Sequence, residues 1–280
     1  MNMAKWGMVV DITKCNACYS CFIACKDEYW DNDYPPYSAG QPRHGQFWMD
    51  LVKKERGACP WVKVAYIPVP CMHCDSAPCV KAAKNRAVYK RPDGIVIIDP
   101  KKAVGQRQIV DACPYHAIFW NEEKQLPQKC TFCVQRLEEG KIPKCVQVCP
   151  SGALMFGDLD DPRSDVAKIV ASKKTEALNP ERKTKPRVYY LGLPKLFIAG
   201  SVVFGDVDEC AEGVKVTLMG QAAGKSTETS TNNFGDFEFD GLGAGTYSVK
   251  FKCQGYAAKT IHVDLKTDKY LGVANLTKRP

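Results

Sequence analysis

The sequence predicts an α+β protein in two parts: a cysteine-rich segment of short strands and helices, then an all-β sandwich. Three observations predict it. Twelve of the fifteen cysteines fall into four groups within residues 15–149. Short apolar strand-like runs sit beside those groups. From residue 196 onward the grouped cysteines stop, and apolar residues alternate with polar ones between turn signals.

The groups come first. Cys15, Cys18, Cys21 and Cys25 form a C-x2-C-x2-C-x3-C run. Cys71, Cys74 and Cys79 form C-x2-C-x4-C, and Cys113 stands alone before Pro114. The last group is Cys130, Cys133, Cys145 and Cys149, followed by Pro150. Four thiolates hold a [4Fe–4S] cluster, and the first run has the bacterial ferredoxin spacing, in which the fourth cysteine serves a second cluster. Two such runs exchange their last cysteines. The first and fourth groups then give Cys15, Cys18, Cys21 and Cys149 for one cluster, and Cys25, Cys130, Cys133 and Cys145 for a second. The middle groups give Cys71, Cys74, Cys79 and Cys113 for a third.

A fourth cluster would need cysteines at Ala83, Ala103, Gln106 and Ile109. All four are absent together, and no other ligand is missing. The pattern reads as three complete clusters and one deleted site. Paired C-x2-C motifs also build zinc sites, but those come as two pairs, unlike the first run. A disulfide framework is not expected, because nothing resembles a secretory signal and the chain is long enough for a real core. Cys59, Cys210 and Cys253 are left over. Cys59 reads as a small packed thiol, and Cys253 as buried on a strand's inward face.

Each element follows from local pattern. Met8 to Val10 reads as a strand before the first run. Val88–Lys90 and Ile95–Ile98 read as a hairpin around Arg91-Pro92-Asp93-Gly94. Ala117–Trp120 and Ala153–Phe156 follow later cysteines. Strand, ligand loop, helix and strand make a tandem ferredoxin-like domain over 1–160, pseudo-symmetric about its two halves. Residues 30–70 interrupt it with aromatics and prolines, and read as a rigid loop covering the clusters or facing a partner. His73 reads as a hydrogen-bond donor or a solvent-facing residue. Residues 161–195 read as a connecting strap, with a helix over 163–177 and an extended stretch over 180–194. Residues 196–280 read as a seven-stranded antiparallel immunoglobulin/transthyretin-like sandwich.

The formal charge is +8. It divides as +9 before residue 196 and −1 after it. A basic half invites a nucleic-acid reading, but each oxidised all-thiolate cluster carries about −2, so three of them offset most of the charge. No nucleic-acid partner is expected. Lys26, Lys129 and Lys144 each adjoin a ligand cysteine and could raise a cluster's potential. No stretch is apolar enough to span a membrane. A cytoplasmic location is expected, with export only if a partner carries a signal.

Several motifs carry a resemblance: Pro70-Cys71-Met72-His73-Cys74, Asp93-Gly94-Ile95-Val96, Cys113-Pro114-Tyr115, Lys129-Cys130-Thr131-Phe132-Cys133 and Lys183 to Leu191. They are similar to the iron–sulfur subunits of the molybdopterin oxidoreductases, the dimethyl sulfoxide reductase family. The resemblance covers residues 6 to about 192. Typical members hold four clusters. The three-cluster layout with a C-terminal sandwich is most similar to the small subunits of transhydroxylases of polyhydroxybenzenes, with resorcinol hydroxylases and catechol dehydroxylases close by. It implies a large catalytic subunit holding bis-molybdopterin guanine dinucleotide with molybdenum or tungsten, in a heterodimer or an assembly of heterodimers. It implies no catalytic residue on this chain, and that the cluster of the first run and Cys149 faces the large subunit. Subunits of respiratory sulfoxide, polysulfide or oxyanion reductases are the alternative.

Overall fold

A computed structural model describes residues 3–220 and 226–280. The first two residues of the expected 1–160 domain, and residues 221–225 of the expected sandwich, lie outside the described residues. The chain forms two compact units, Met1–Lys53 with Tyr66–Leu193, and Lys54–Ala65 with Pro194–Pro280.

The first part of the chain runs β1 (Trp6–Asp11), α1 (Ser20–Tyr29), β2 (Met49–Ala58), β3 (Trp61–Pro70), α2 (Pro78–Ala82), β4 (Val88–Lys90), β5 (Val96–Ile98) and α3 (Gln108–Asp111). It continues through β6 (Phe119–Asn121), β7 (Leu126–Gln128), α4 (Val134–Glu138), α5 (Lys144–Gln147), β8 (Leu154–Asp158), α6 (Asp165–Ala171) and β9 (Val188–Leu191). β1 is central in a three-stranded sheet, antiparallel to β8 and parallel to β9. Flanked on both sides, its Met8, Val9 and Val10 are wholly buried. Asp11 then stops the strand, its carboxylate accepting from the Thr13 N–H and hydroxyl. That turn launches the first cysteine loop.

The Pro-Asp-Gly hairpin joins β4 and β5 as expected. Gly94 has φ +92°, and a Cβ there would lie 2.5 Å from the Arg187 guanidinium. Only glycine suits that backbone and that approach.

Three expectations change. Residues 49–70 are not an irregular loop but a long hairpin, β2–β3, of which 54–65 group with the second unit. Pro68 and Pro70 fit because a two-stranded sheet has only edge strands. The strap holds a shorter helix than expected, α6, and its end is strand β9. β9 completes the sheet on β1, which an isolated sequence window does not reveal.

The second unit carries β10 (Leu196–Phe204), β11 (Glu209–Cys210), β12 (Lys215–Gly220), β13 (Ser226–Ser230), β14 (Asp236–Leu242), β15 (Gly245–Lys252), β16 (Lys259–Leu265) and β17 (Lys269–Leu276). One sheet has the order β11-β10-β14 with β17 also on β10; the other is β13-β12-β15-β16. There are eight described strands rather than seven, the extra one being the two-residue β11. The β10–β17 pair is parallel, so the sandwich is not wholly antiparallel. Val216, Leu218, Phe237, Phe239, Val249 and Phe251 alternate inward and form the core. On the hairpin tip, the Lys63 ammonium binds the carboxylates of Glu238 and, at 2.7 Å, Asp240. The Trp61 indole donates to Glu238 at 3.1 Å.

Candidate metal-cluster sites

The C-x3-C spacing acts through helices. Residues four apart lie on one helix face. Cys21 and Cys25 on α1 are both buried. On α5, Cys145 is buried, and Cys149 follows one turn later, past the helix end. The two helices pack together. Each helix therefore offers one thiol to its own loop and one to the other.

The C-x2-C loops share a second device. The residue before the second cysteine is left-handed in all three: Ala17 (φ 58°), His73 (φ 43°) and Phe132 (φ 55°). That conformation is unfavourable for a bulky side chain. It brings the His73 N–H to 3.5 Å from Cys71 Sγ and the Phe132 N–H to 3.4 Å from Cys130 Sγ. Hydrogen bonds to the sulfurs are one determinant of a cluster's potential.

The thiols gather in three sets. Cys15, Cys18, Cys21 and Cys149 line one cavity, with Leu51 and Leu154 among its walls. Cys71, Cys74, Cys79 and Cys113 line another, with Val96 and Ile118. Cys25, Cys130, Cys133 and Cys145 interact electrostatically with one another and are all buried. Among the described residues, no three His, Cys, Asp or Glu side chains converge as they would on a single ion. Thiols around a cavity suit a body larger than one ion. A [4Fe–4S] cluster, held at its corners by four thiolates, fits that donor set.

Electrostatics agree. Burial pushes the Cys21 thiol up to about 11, with the Cys15, Cys149 and Cys18 charges adding to it. Burial likewise lifts Cys74 to about 11, and Cys79 and Cys130 to about 12. Burial also raises Cys25 and Cys145 well above the usual thiol range. Crowded buried thiolates need positive charge beside them, and loading metal must release protons. Cys18 differs. It is exposed, and hydrogen bonds from the Ser20 side chain and backbone lower it.

The positions at which a fourth cluster would need its cysteines are packed. Ile109 and Ala103 are fully buried. The Gln106 amide accepts from the Lys84 N–H at 2.8 Å and donates to the Lys84 and Lys102 carbonyls at 3.3 and 2.7 Å. Ala83 caps α2 one turn after Cys79.

Other residues depart from expectation. The His73 imidazole neither donates to a partner among the described residues nor faces solvent. It is fully buried, and its Nδ1 accepts from the Val96 N–H at 3.0 Å. Its ring lies 3.8 Å from the Phe132 ring. Cys59 is exposed at the β2–β3 turn rather than packed, and Cys253 is only half-buried, just past β15. Sequence reasoning missed Tyr29, which is 1% exposed beside the Cys133 set and bonds Thr131 at 2.7 Å.

Comparison with known proteins places this geometry. Residues 62–159 match the family model "4Fe-4S dicluster domain", and residues 198–277 match "Carboxypeptidase regulatory-like domain". The chain is 41% identical over 275 residues to the pyrogallol hydroxytransferase small subunit of Pelobacter acidigallici, covering 95% of this chain and 97% of that one. The chain belongs to the iron–sulfur subunits of the molybdopterin oxidoreductases. Other members include a subunit of the tetrathionate reductase of Salmonella typhimurium, 38% identical over 69% of this chain and 75% of that one. The putative dimethyl sulfoxide reductase iron–sulfur subunit of Halobacterium salinarum is 37% identical over 68% and 79%. As a member, this chain is an electron-transfer subunit of an oxidoreductase complex. No helix among the described residues is long and apolar enough to cross a membrane.

Proposed function

We propose that this subunit carries three [4Fe–4S] clusters and serves a molybdopterin enzyme that moves hydroxyl groups on polyhydroxylated aromatics. The observation that carries the cluster count is the contrast between three thiol quartets and one packed site. Cys15, Cys18, Cys21 and Cys149 would hold the first cluster, Cys25, Cys130, Cys133 and Cys145 the second, and Cys71, Cys74, Cys79 and Cys113 the third. When bound, such clusters supply one-electron storage and transfer. The chain's part is to fix the thiols, exclude water with Ile118, Val96 and Leu154, and direct N–H groups at sulfur.

The first unit is read as a tandem ferredoxin-like domain, and the second as an immunoglobulin/transthyretin-like sandwich. Exposed Cys18 lies next to exposed Tyr19, with Ile23 also exposed on α1, where a partner can approach the first set. The partner would hold bis-molybdopterin guanine dinucleotide with molybdenum or tungsten, in a heterodimer or a set of them, in the cytoplasm. Whole-length likeness to the hydroxytransferase small subunit supports the substrate class over respiratory reductases, whose subunits align with about two thirds of the chain. The test is anaerobic purification with the large subunit. Hydroxyl transfer between polyhydroxybenzenes is expected. Quinol-linked reduction of tetrathionate or a sulfoxide, with no activity on phenols, would overturn the substrate reading.

A further inference from the structure

We propose that Lys129 is the shared counter-charge of the second and third clusters and raises the reduction potential of both, leaving the first largely untouched. This rests on the cluster reading above.

Lys129 is 2% exposed. Its ammonium donates to the Val96 carbonyl and, at 3.0 Å, to the Cys130 carbonyl. Among the described residues it has no carboxylate partner. Burying an ammonium without a counter-ion is strongly unfavourable, and two carbonyl dipoles leave its full charge unmatched. The two carbonyls that hold it belong to two different thiol sets. Val96 lines the cavity of Cys71, Cys74, Cys79 and Cys113, and Cys130 belongs to the Cys25 set. Neither Val96 nor Lys129 lines the cavity of the first set.

The position is built, not incidental. Val96 ties both loops together: its carbonyl receives Lys129, and its N–H binds His73 between Cys71 and Cys74. The His73 and Phe132 rings meet on the same partition, tilted by 31°. Lys26, also next to a ligand cysteine, differs. It is partly exposed, and its ammonium is occupied by Gln41 at 2.6 Å and the Pro42 carbonyl at 3.0 Å. A fixed positive charge stabilises the reduced, more negative form of a neighbouring cluster, so its removal lowers the potential.

The test is an EPR-monitored redox titration of the complex purified anaerobically, for wild type, K129Q and K129R. Signals are assigned with C18S, C133S and C113S. K129Q keeps an N–H donor for the carbonyls but removes the charge; K129R keeps the charge. The expected result is that K129Q lowers two midpoint potentials together, the third moves least, and K129R stays near wild type. Loss of the second and third clusters in K129Q with retention in K129R also supports the counter-charge. No shift in K129Q, an equal shift of all three, or the same loss in both variants overturns it. Iron and acid-labile sulfide are measured first on wild type. Their absence would sink the cluster reading itself, a separate failure.

Discussion

The pair α1 and α5 and the pair α2 and α3 are two versions of one design. In the first pair the cysteines come one turn apart: Cys21 and Cys25 on α1, and Cys145 on α5 with Cys149 just past its end. In the second, Cys79 is followed by Ala83, and Cys113 is preceded by Ile109. The helices pack together in both pairs. What differs is the content of the second site: four thiols in one, and Ile109, Ala103 and a saturated Gln106 in the other. On the three-cluster reading the fourth site is packed rather than left loose, because a buried void or an unpaired amide would be destabilising.

The comparison can be broken most strongly at its interlocked half. C145S removes a buried thiol one turn before Cys149, which belongs to the neighbouring set. We expect loss of the second cluster and weakening of the first, so iron falls by more than one third. C113S lies in the half with a single set. It should remove one EPR signal and about one third of the iron, leaving the Cys15-dependent signal intact. Substituting Cys59, Cys210 or Cys253 by serine should leave iron unchanged.

Smaller effects sharpen the account of the filled site. I109A opens a cavity where Ile109 is fully buried, and should cost about 2–5 kcal/mol in denaturant unfolding. Iron content per folded chain should stay the same. Q106L leaves the Lys84 N–H and two carbonyls without the amide, and should cost about 1–3 kcal/mol. The smallest effect is on the sandwich. Burial is the largest single influence on the Asp240 carboxylate and raises it, but the hydrogen bonds from Lys63 and the Gly241 N–H and the Lys63 charge together outweigh it and hold the group below its usual range. A depressed carboxylate contributes stability above its unfolded pKa and loses it as pH falls through the folded value. K63A should therefore lower the melting temperature slightly at pH 7, by below about 1 kcal/mol equivalent, and converge with wild type in acid.

Cysteine spacing made the site legible because each ligand is covalently marked in the chain, and helix periodicity turns x3 into one face. Alternation made the sandwich core legible through Val216, Leu218, Phe237 and Phe239. What stayed hidden depends on partners distant in sequence. β9 is a strand because β1 offers an edge 180 residues earlier, as Met8 opposite Val188 shows. His73 is buried because Phe132 and Val96 close over it. The β2–β3 hairpin was masked by Pro68 and Pro70, which usually argue against strands.

The central claim is three clusters, not two or four. Iron and acid-labile sulfide per chain, measured on anaerobically purified complex and corrected for the large subunit, test it directly. The account predicts about twelve of each. About sixteen, about eight, or stoichiometric zinc without sulfide would contradict it.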